Sequence, residues 1–498
     1  MQAKKVVTRR QFLAFSAMAT MGAALAACGA TPTPQIVEKE VTKIVAGTPE
    51  VVKETVVVKE TQVVKETQLV EVTAAKQTEQ PVTLEWWSFG LGLPDDIWPH
   101  GKWEQSMANS YMQLKPNVKI NYQALGWDAL TKAYTAITAG NPPNMILRGG
   151  IDQIIYALQG NCALEVELPQ DLKDDLPKGW YEGGLYKGKN YQIPFYCLAN
   201  GMGVNLSIAK EAGAEGLLPT NPEKTWKWDD FTQFIKACAY KRADGTQVWG
   251  FYQPTQQSNP FFFWPTQVLS WSYYTDTVEF KDGKWRCKMG DEQGVAWLTW
   301  MQDMYSKLHA CPNPSGASAS AWDFWDQNTL ACLVGPDISM AKRSNMTVNP
   351  DTLVVTNTDK KYDWMFVQTP TPDGKHGFCW GGPKLDVNIV PYKKDAATIQ
   401  PTLDFAFWLV NLEHQQFLSQ YLNPIRLSAI KDLKDPMLKW HYDNYIPYGR
   451  QRAEADGGRA REVCEALEVL LQTLYLPTDP KVAVGQFCTT VEGLQWVV

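Results

Sequence analysis

From Val82 onward the chain alternates two hydrophobic periods, and that alternation narrows the folds open to it more than any other feature. Val82-Thr-Leu-Glu-Trp-Trp-Ser-Phe89 reads as a strand running into Gly90 and Gly92. Trp103 to Leu114 repeats apolar residues at helical spacing up to the stop Lys115-Pro116-Asn117, and Val118 to Tyr122 alternates like a strand. Leu130, Tyr134 and Ile137 then share one helical face, Asp128 stands where a cap belongs, and Gly140-Asn-Pro-Pro143 ends the helix before the apolar strand Met145-Ile-Leu147. Strands separated by helices call for a sheet covered on both faces, hence an α/β fold with a parallel or mostly parallel sheet. Further along, Trp228-Asp-Asp-Phe231 opens a helix, Val248 to Phe251 is a strand, and Val278 to Lys288 is a hairpin with Asp282-Gly283 at its tip. Gly294 to Lys307 and, after Pro401, Thr402 to Leu422 are helical runs. At 498 residues the chain exceeds what one core usually spans, so at least two lobes are expected.

The first eighty residues do not share this pattern. Lys4, Lys5, Arg9 and Arg10 precede an uncharged run, Phe12 to Ala27, too short for a permanent membrane helix and read as a signal peptide. Thr8-Arg-Arg-Gln-Phe-Leu13 resembles the twin-arginine export signal, and Leu25-Ala-Ala-Cys28 resembles a lipobox, with Cys28 as the lipidated residue. Val-Lys-Glu-Thr recurs at 52–55, 58–61 and 64–67, so residues 29–80 read as a low-complexity tether of about 40 Å mean span that cannot bury a core. The same Val/polar alternation also suits a strand that pairs with something, and both readings stand. The expectation is an extracytoplasmic, lipid-anchored bacterial protein whose body is 81–498.

Composition removes some partners. A net charge of −6, with no Lys/Arg-rich run and no zinc-finger spacing, gives no field for a phosphate backbone, so nucleic acid is excluded. The five histidines are scattered, and no GxSxG, HExxH or P-loop is present, so neither metal nor cofactor is expected. Nine cysteines remain after Cys28; their odd number leaves at least one unpaired in a monomer, and most sit in apolar runs as small buried hydrophobes. The 21 tryptophans exceed ordinary core needs. The segment 258–274, Ser-Asn-Pro-Phe-Phe-Phe-Trp-Pro-Thr-Gln-Val-Leu-Ser-Trp-Ser-Tyr-Tyr, concentrates such rings.

A series of short motifs then falls in one order: Pro116-Asn-Val-Lys-Ile120, Ala139-Gly-Asn-Pro-Pro-Asn144, Gly188-Lys-Asn-Tyr-Gln-Ile-Pro194 with Asn205, Trp228-Asp-Asp-Phe231, and Asp244-Gly245 with Trp249-Gly-Phe251. Asn328-Thr-Leu-Ala331 with Gly335-Pro336, Gln368-Thr-Pro370, Trp380-Gly-Gly382 and Pro424-Ile-Arg426 complete it. In this order the chain resembles the extracellular solute-binding proteins of sugar-type ABC importers, the maltose-binding-like family. The resemblance implies a two-lobed, type II periplasmic-binding-protein-like fold with hinge strands and an interlobe cleft. Lobe 1 would hold about 81–199 and 384–425, lobe 2 about 200–383 and 426–498, with crossings near Cys197–Val204, Gly381–Val387 and Asn423–Leu427. It also implies a monomer that captures an oligosaccharide by lobe closure and presents it to permease subunits, without chemistry.

A sugar needs rings for its C–H face and planar polar groups for its hydroxyls, and open α/β sheets place ligands at strand ends. That selects Trp87, Ser88 and Phe89, then Arg148 with Asp152, Tyr196 and Asn200, and Trp380 with Gly381. Pro260-Phe-Phe-Phe-Trp-Pro265 resembles the family's Pro-Tyr-Phe-x-Trp-Pro, with Phe261 where the family stacks a Tyr on sugar; Trp264, Trp271, Trp325, Asp337 and Arg426 complete the candidate set. The chain departs from the maltose-type pattern at Ser88-Phe-Gly-Leu-Gly92, at Leu198 in place of a carboxylate, and at Asp337 in place of an aromatic, which argues against maltose itself. A secreted two-carboxylate glycoside hydrolase, and a binding protein for a non-sugar solute, remain open at this level.

Overall fold

The computed structural model describes residues 80–89, 101–125, 130–252, 264–312, 321–335, 346–348, 355–357, 362–385, 388–419, 422–431 and 436–496. The signal peptide, the tether, Asp128, Phe261 and Asp337 lie outside them. The described body, within the unit 78–498, is built on two five-stranded sheets joined by a third, small one.

The first sheet realises the opening alternation. Strand β1 (Val82–Ser88) runs parallel to β2 (Val118–Ala124) over seven residue pairs, with helix α1 (Lys102–Leu114) as the crossover. Helix α2 (Leu130–Thr138) leads to β3 (Met145–Gly149), which lies on the other side of β1 and is buried along its whole length, as a strand covered on both faces must be. Helix α3 (Ile151–Gln159) follows. The sheet order is β2-β1-β3-β16-β4, so β16 (Asn388–Pro391) is inserted between β3 and β4 (Ile193–Pro194), antiparallel to both. Trp86 is fully buried here and meets Tyr122 and Phe405 edge-on at 4.9 and 5.1 Å.

The second sheet has the order β14-β6-β11-β8-β7. Its strands are β6 (Met202–Asn205), β7 (Tyr240–Lys241), β8 (Gln247–Phe251), β11 (Leu330–Val334) and β14 (Trp364–Val367). Helix α4 (Trp228–Ala237) buries Trp228, Phe231, Phe234 and Ile235 on one side, the face its spacing predicts. Helix α5 (Trp264–Ser272) precedes the hairpin β9 (Val278–Lys281) and β10 (Lys284–Cys287). Asp282 (φ 53°) and Gly283 (φ 77°) form its two-residue tip with both φ positive, as a hairpin matched to strand twist requires. A second hairpin pairs β12 (Met346–Val348) with β13 (Val355–Asn357). Helix α6 (Glu292–Ser306) packs against the last two helices, α11 (Ala460–Leu474) and α12 (Pro480–Glu492). Cys287 and Cys488 form a disulfide between β10 and α12, and the other seven described cysteines are buried thiols. Burial holds those of Cys238 and Cys311 up at about 12.

One element differs from its expected form. The helical run placed at Thr402 to Leu422 is two helices: α7 (Ala396–Leu409), with Pro401 inside it, and the shorter α8 (Leu412–Leu418). Two side-chain caps decide this. Asp395 accepts the amide of Ala397 and starts the first helix a turn and a half before Pro401; Asn411 accepts the amide of His414 at 2.8 Å and restarts the chain.

The connecting sheet has the order β17-β15-β5 and consists of β5 (Ala199–Asn200), β15 (Cys379–Gly381) and β17 (Gly449–Arg450). The chain passes from the first sheet to the second through β5, and returns through β15 to β16. The expected third crossing, Asn423–Leu427, lies beside the first: Cys197 donates to the Asn423 carbonyl, and Tyr196 bridges to Pro424. The third connecting strand comes from further along the chain, at β17. Close approach sets its glycines. A Cβ on Gly381 would stand 2.4 Å from the Leu198 carbonyl oxygen, and one on Gly201 would stand 2.1 Å from the Tyr445 ring. Tyr445, at the end of α9 (Pro436–Tyr445), accepts from the Met202 amide at 3.0 Å and fixes the start of β6.

His441 lies on the same helix, fully buried, with Phe366 at 4.6 Å and Tyr445 at 4.8 Å. Burial holds its imidazolium down to about 3 against an ordinary 6.5. The folded form therefore binds fewer protons than the unfolded one below pH 6.5, and the stability His441 gives above that pH is lost as pH falls toward 3. Urea titrations at pH 7, 6, 5 and 4 should show this loss, on the order of 1.4 kcal/mol per pH unit from this group alone, and His441→Leu should remove that part of the slope.

Candidate functional site

Residues 449–452 run extended across the connecting sheet, which sends Arg450 and Arg452 to one side and Gln451 to the other. On that side stands Trp380, paired in register with Asn200 on one flank and Arg450 on the other. The arrangement is a column. The Arg450 guanidinium lies 5.4 Å from the Trp271 ring; Trp271 and Trp380 stack at 5.7 Å with planes 9° apart; the Arg452 guanidinium lies 5.1 Å from the Trp380 ring. Each cation–π contact is worth about 0.5–2 kcal/mol and the ring pair about 0.5–1.5, which ties the segment of β17 to α5 and β15.

Carboxylates fix both arginines. Arg450 donates to Asp276 Oδ2 at 2.7 Å, and the other oxygen of Asp276 takes the Trp271 indole N–H at 3.0 Å and the Thr277 amide at 2.8 Å. Asp276 is 5% exposed; burial raises its carboxyl above the ordinary range, against the pull of Arg450. Arg452 reaches Asp152, in the first turn of α3 on the first sheet, at 3.9 Å. Glu454, in the short helix α10 (Ala453–Asp456), is completely buried, accepts from Gln267 Nε2 at 2.5 Å and Thr277 Oγ1 at 3.1 Å, and is raised to about 7 by burial and by Asp276. Beside the column opens a cavity of about 360 Å³. Its wall combines Trp271, Phe378 and the half-exposed Phe280 and Tyr274 with Asp276, Glu279, Lys288 and Arg450. Rings with a few convergent polar groups form the ordinary lining of a small-molecule site.

The side of the connecting sheet that carries Trp380 and Asn200 makes contacts just past β3, through Arg452 and Asp152, and just past β11, through Asn200. Asn200 donates to the carbonyl of Gly335, just past the end of β11, at 2.8 Å. On the first sheet, β1 ends at Ser88, whose hydroxyl donates to the buried Glu104 at 3.1 Å, and Phe89 is packed into the cluster of Ile146 and Ile151. Trp87 is half-buried with the Lys132 ammonium 5.3 Å above its ring. Arg148, near the end of β3, is buried and holds φ 65°, a left-handed conformation costly for a residue with a Cβ. Tyr196 is buried against Phe195 beside the first crossing.

The structure thus brings Asp152, Asn200, Trp271, Trp380 and Gly381 to one region and sets Ser88, Phe89 and Arg148 at the strand ends of the first sheet. Trp271 is buried with its ring stacked inside the column. Trp264 begins α5. Trp325 and Arg426 are placed elsewhere. Trp325 precedes β11, at the opposite end of that strand from Gly335, with its ring against Tyr362 and Trp364 at 5.5 and 6.3 Å. Arg426 donates to the Val410 carbonyl at 2.8 Å and pairs with Asp171 and Asp175, clamping the first half. Sequence reasoning missed Arg450, Arg452, Asp276 and Glu454. Two arginines at i and i+2 in an extended run were the available sign.

Comparison with known proteins bears on this geometry. The model of a family described as bacterial extracellular solute-binding protein matches residues 106–439. The diacetylchitobiose binding protein of Streptomyces coelicolor is 22% identical over 326 residues, 63% of this chain and 67% of that protein. A Streptomyces antibioticus protein described as an uncharacterized lipoprotein is 23% identical over 357 residues, 71% of this chain and 72% of that one. Among solved structures, a solute-binding protein from Thermotoga lettingae bound with α-D-tagatose superposes with TM-score 0.62 at 17% identity, covering 82% of this chain and 98% of that one. The Thermus thermophilus maltotriose binding protein gives TM-score 0.60 at 15% identity, covering 82% and 99%. These likenesses establish a two-lobed periplasmic-binding-protein fold.

Proposed function

Since this chain belongs to the family of bacterial extracellular solute-binding proteins, we propose that it captures a carbohydrate between its two lobes and presents the closed form to the permease of an ABC importer. It is a binding protein and not an enzyme, so the hydrolase reading left open by the sequence falls away. The observation that carries the proposal is the three-stranded connection with its aromatic–guanidinium column, from which Arg452 reaches Asp152 just past β3 and Asn200 reaches Gly335 just past β11. Three short adjacent crossings let two rigid halves rotate about one axis, a two-state motion that a ligand touching both halves biases. The names of the relatives point the same way: diacetylchitobiose, tagatose and maltotriose are all saccharides.

In this reading the ligand meets Trp87, Arg148 and Asp152 from the first half, with Ser88 and Phe89 packed behind them against Glu104 and the cluster of Ile146 and Ile151. Tyr196, Asn200, Trp380 and Gly381 meet it at the hinge, and Trp271, Phe261, Trp264 and Asp337 from the second half. Cys28 carries a lipid, and residues 29–80 hold the body away from the membrane.

Titration with N,N′-diacetylchitobiose, maltotriose and tagatose, read by tryptophan fluorescence and melting temperature, tests the ligand class. A true ligand at a hundredfold excess over Kd should stabilise the fold by about 2.7 kcal/mol without turnover. A shift given only by a peptide or polyol would overturn the carbohydrate assignment. Labelled palmitate that enters the wild type but not Cys28→Ala checks the anchor.

A further inference from the structure

The charge cluster around the column holds three carboxylates, Asp152, Asp276 and Glu454, against two guanidiniums, Arg450 and Arg452. Its members belong to different halves. Asp152 sits on α3 of the first; Asp276 and the donors Gln267 and Thr277 belong to the second; α10, which carries Glu454, touches both α3 and β9. Arg450 is committed to Asp276 at 2.7 Å. Arg452 is the shared cation: it reaches across to Asp152 at 3.9 Å and also acts on Glu454, two residues along its own segment.

We infer that Glu454 couples closure of the two lobes to the uptake of one proton from solvent, with Arg452 passing between Glu454 in the open form and Asp152 in the closed one. The inference rests on the lobe-closure reading given above, but on no particular ligand. When the lobes part, Asp152 leaves with the first half and Arg452 settles on Glu454, which then favours its charged form. When they close, Asp152 draws Arg452 away and Glu454 is left buried beside Asp276, which favours the protonated carboxyl. Gln267 stays a donor to the carbonyl oxygen of that acid, and the proton occupies the oxygen facing Thr277. The other groups near Glu454 do not supply the missing charge: Cys464 is a buried thiol that Arg452 contacts at 3.5 Å, and Lys384 is taken up by Asp456 at 3.0 Å.

Because the closed form holds Glu454's proton more tightly than the open form, closure is favoured as pH falls through the range to which burial and Asp276 raise this carboxyl, above that of an ordinary carboxylate. The effect reaches at most tenfold in the closing equilibrium per pH unit and levels off below the open-form value. The test uses the full chain without ligand, with fluorophores on non-natural residues introduced at the exposed positions Lys115 and Asp282, one in each half. Single-molecule transfer efficiency is read from pH 8 to pH 5. The closed population should grow several-fold over this range. Glu454→Gln, which keeps the hydrogen bonds of the protonated acid, should hold the closed fraction at its acid value at every pH. Asp152→Asn, which removes the competing partner, should flatten the profile at the open-favouring level. A flat wild-type profile, or a Glu454→Gln profile that still titrates, would overturn the inference. Failure of every saccharide to bind would leave it untouched.

Discussion

Replacing Arg450 by alanine should lower the stability of the body by about 2–4 kcal/mol, seen as a melting temperature roughly 2–5 °C lower. The cause is the partner left behind. Asp276 has a side chain only 7% exposed, and without Arg450 its charge is buried with neutral donors alone. Arg450 itself is 39% exposed, which keeps the expected loss at the lower end for a broken buried pair. The double variant Arg450→Ala/Asp276→Asn should recover more than half of the loss. The second substitution removes the charge, while the oxygen of the new amide still accepts from the Trp271 indole and the Thr277 amide. Urea denaturation of these two variants beside wild type decides it; an Arg450→Ala protein within about 0.5 kcal/mol of wild type would mean that water already solvates the pair.

The second large effect is expected from the disulfide. Cys287 and Cys488 are 201 residues apart, and a cross-link closing so long a loop restricts the unfolded chain by about 3–5 kcal/mol. Cys287→Ser/Cys488→Ser, or reduction of the wild type, should therefore lower the melting temperature by roughly 3–6 °C. The other seven described thiols are buried, as is Cys287, so alkylation of native protein under mild reduction should mark the half-buried Cys488 ahead of every other described cysteine. Persistence of such a bond requires an oxidising compartment, in keeping with an extracytoplasmic protein.

The alternation that begins at Val82 was sufficient to anticipate β1, α1, β2, α2 and β3 within a few residues, because each segment contains its own period and its own stop. The hairpin tip at Asp282-Gly283 was legible for the same reason: the turn needs two positive φ values, and those residues supply them cheaply. What escaped was decided by distant partners. The helix break at Asn411 depends on a cap inside an apolar run, where periodicity sees only continuity. The third connecting strand is two residues long and owes its existence to Trp380 and Cys379, about seventy residues earlier. Trp325 shows the limit for single residues. Its neighbours at i−3 and i−1 are also aromatic, and only the placement of Tyr362 and Trp364 sends its ring to the far end of β11. The placement of Arg450 and Arg452 depends on the rings they meet, Trp271 and Trp380, which come from much earlier in the chain.

The position of β16 in the first sheet has a consequence for how the protein is made. That strand separates β3 from β4 and is held to both, yet it leaves the ribosome about 190 residues after β4. At ordinary translation rates the nascent first half must wait some 10–40 s with a gap in the middle of its sheet and the faces of Leu147 and Ile193 unpaired. A chain stalled before Asn388 should be rapidly cut by protease in both halves, whereas one extended past Leu409 should protect residues 80–195 first. The half that starts the sequence is thus completed after most of the other has been synthesised, and the ribosome must release the chain through β16 and α7 before the first sheet can settle.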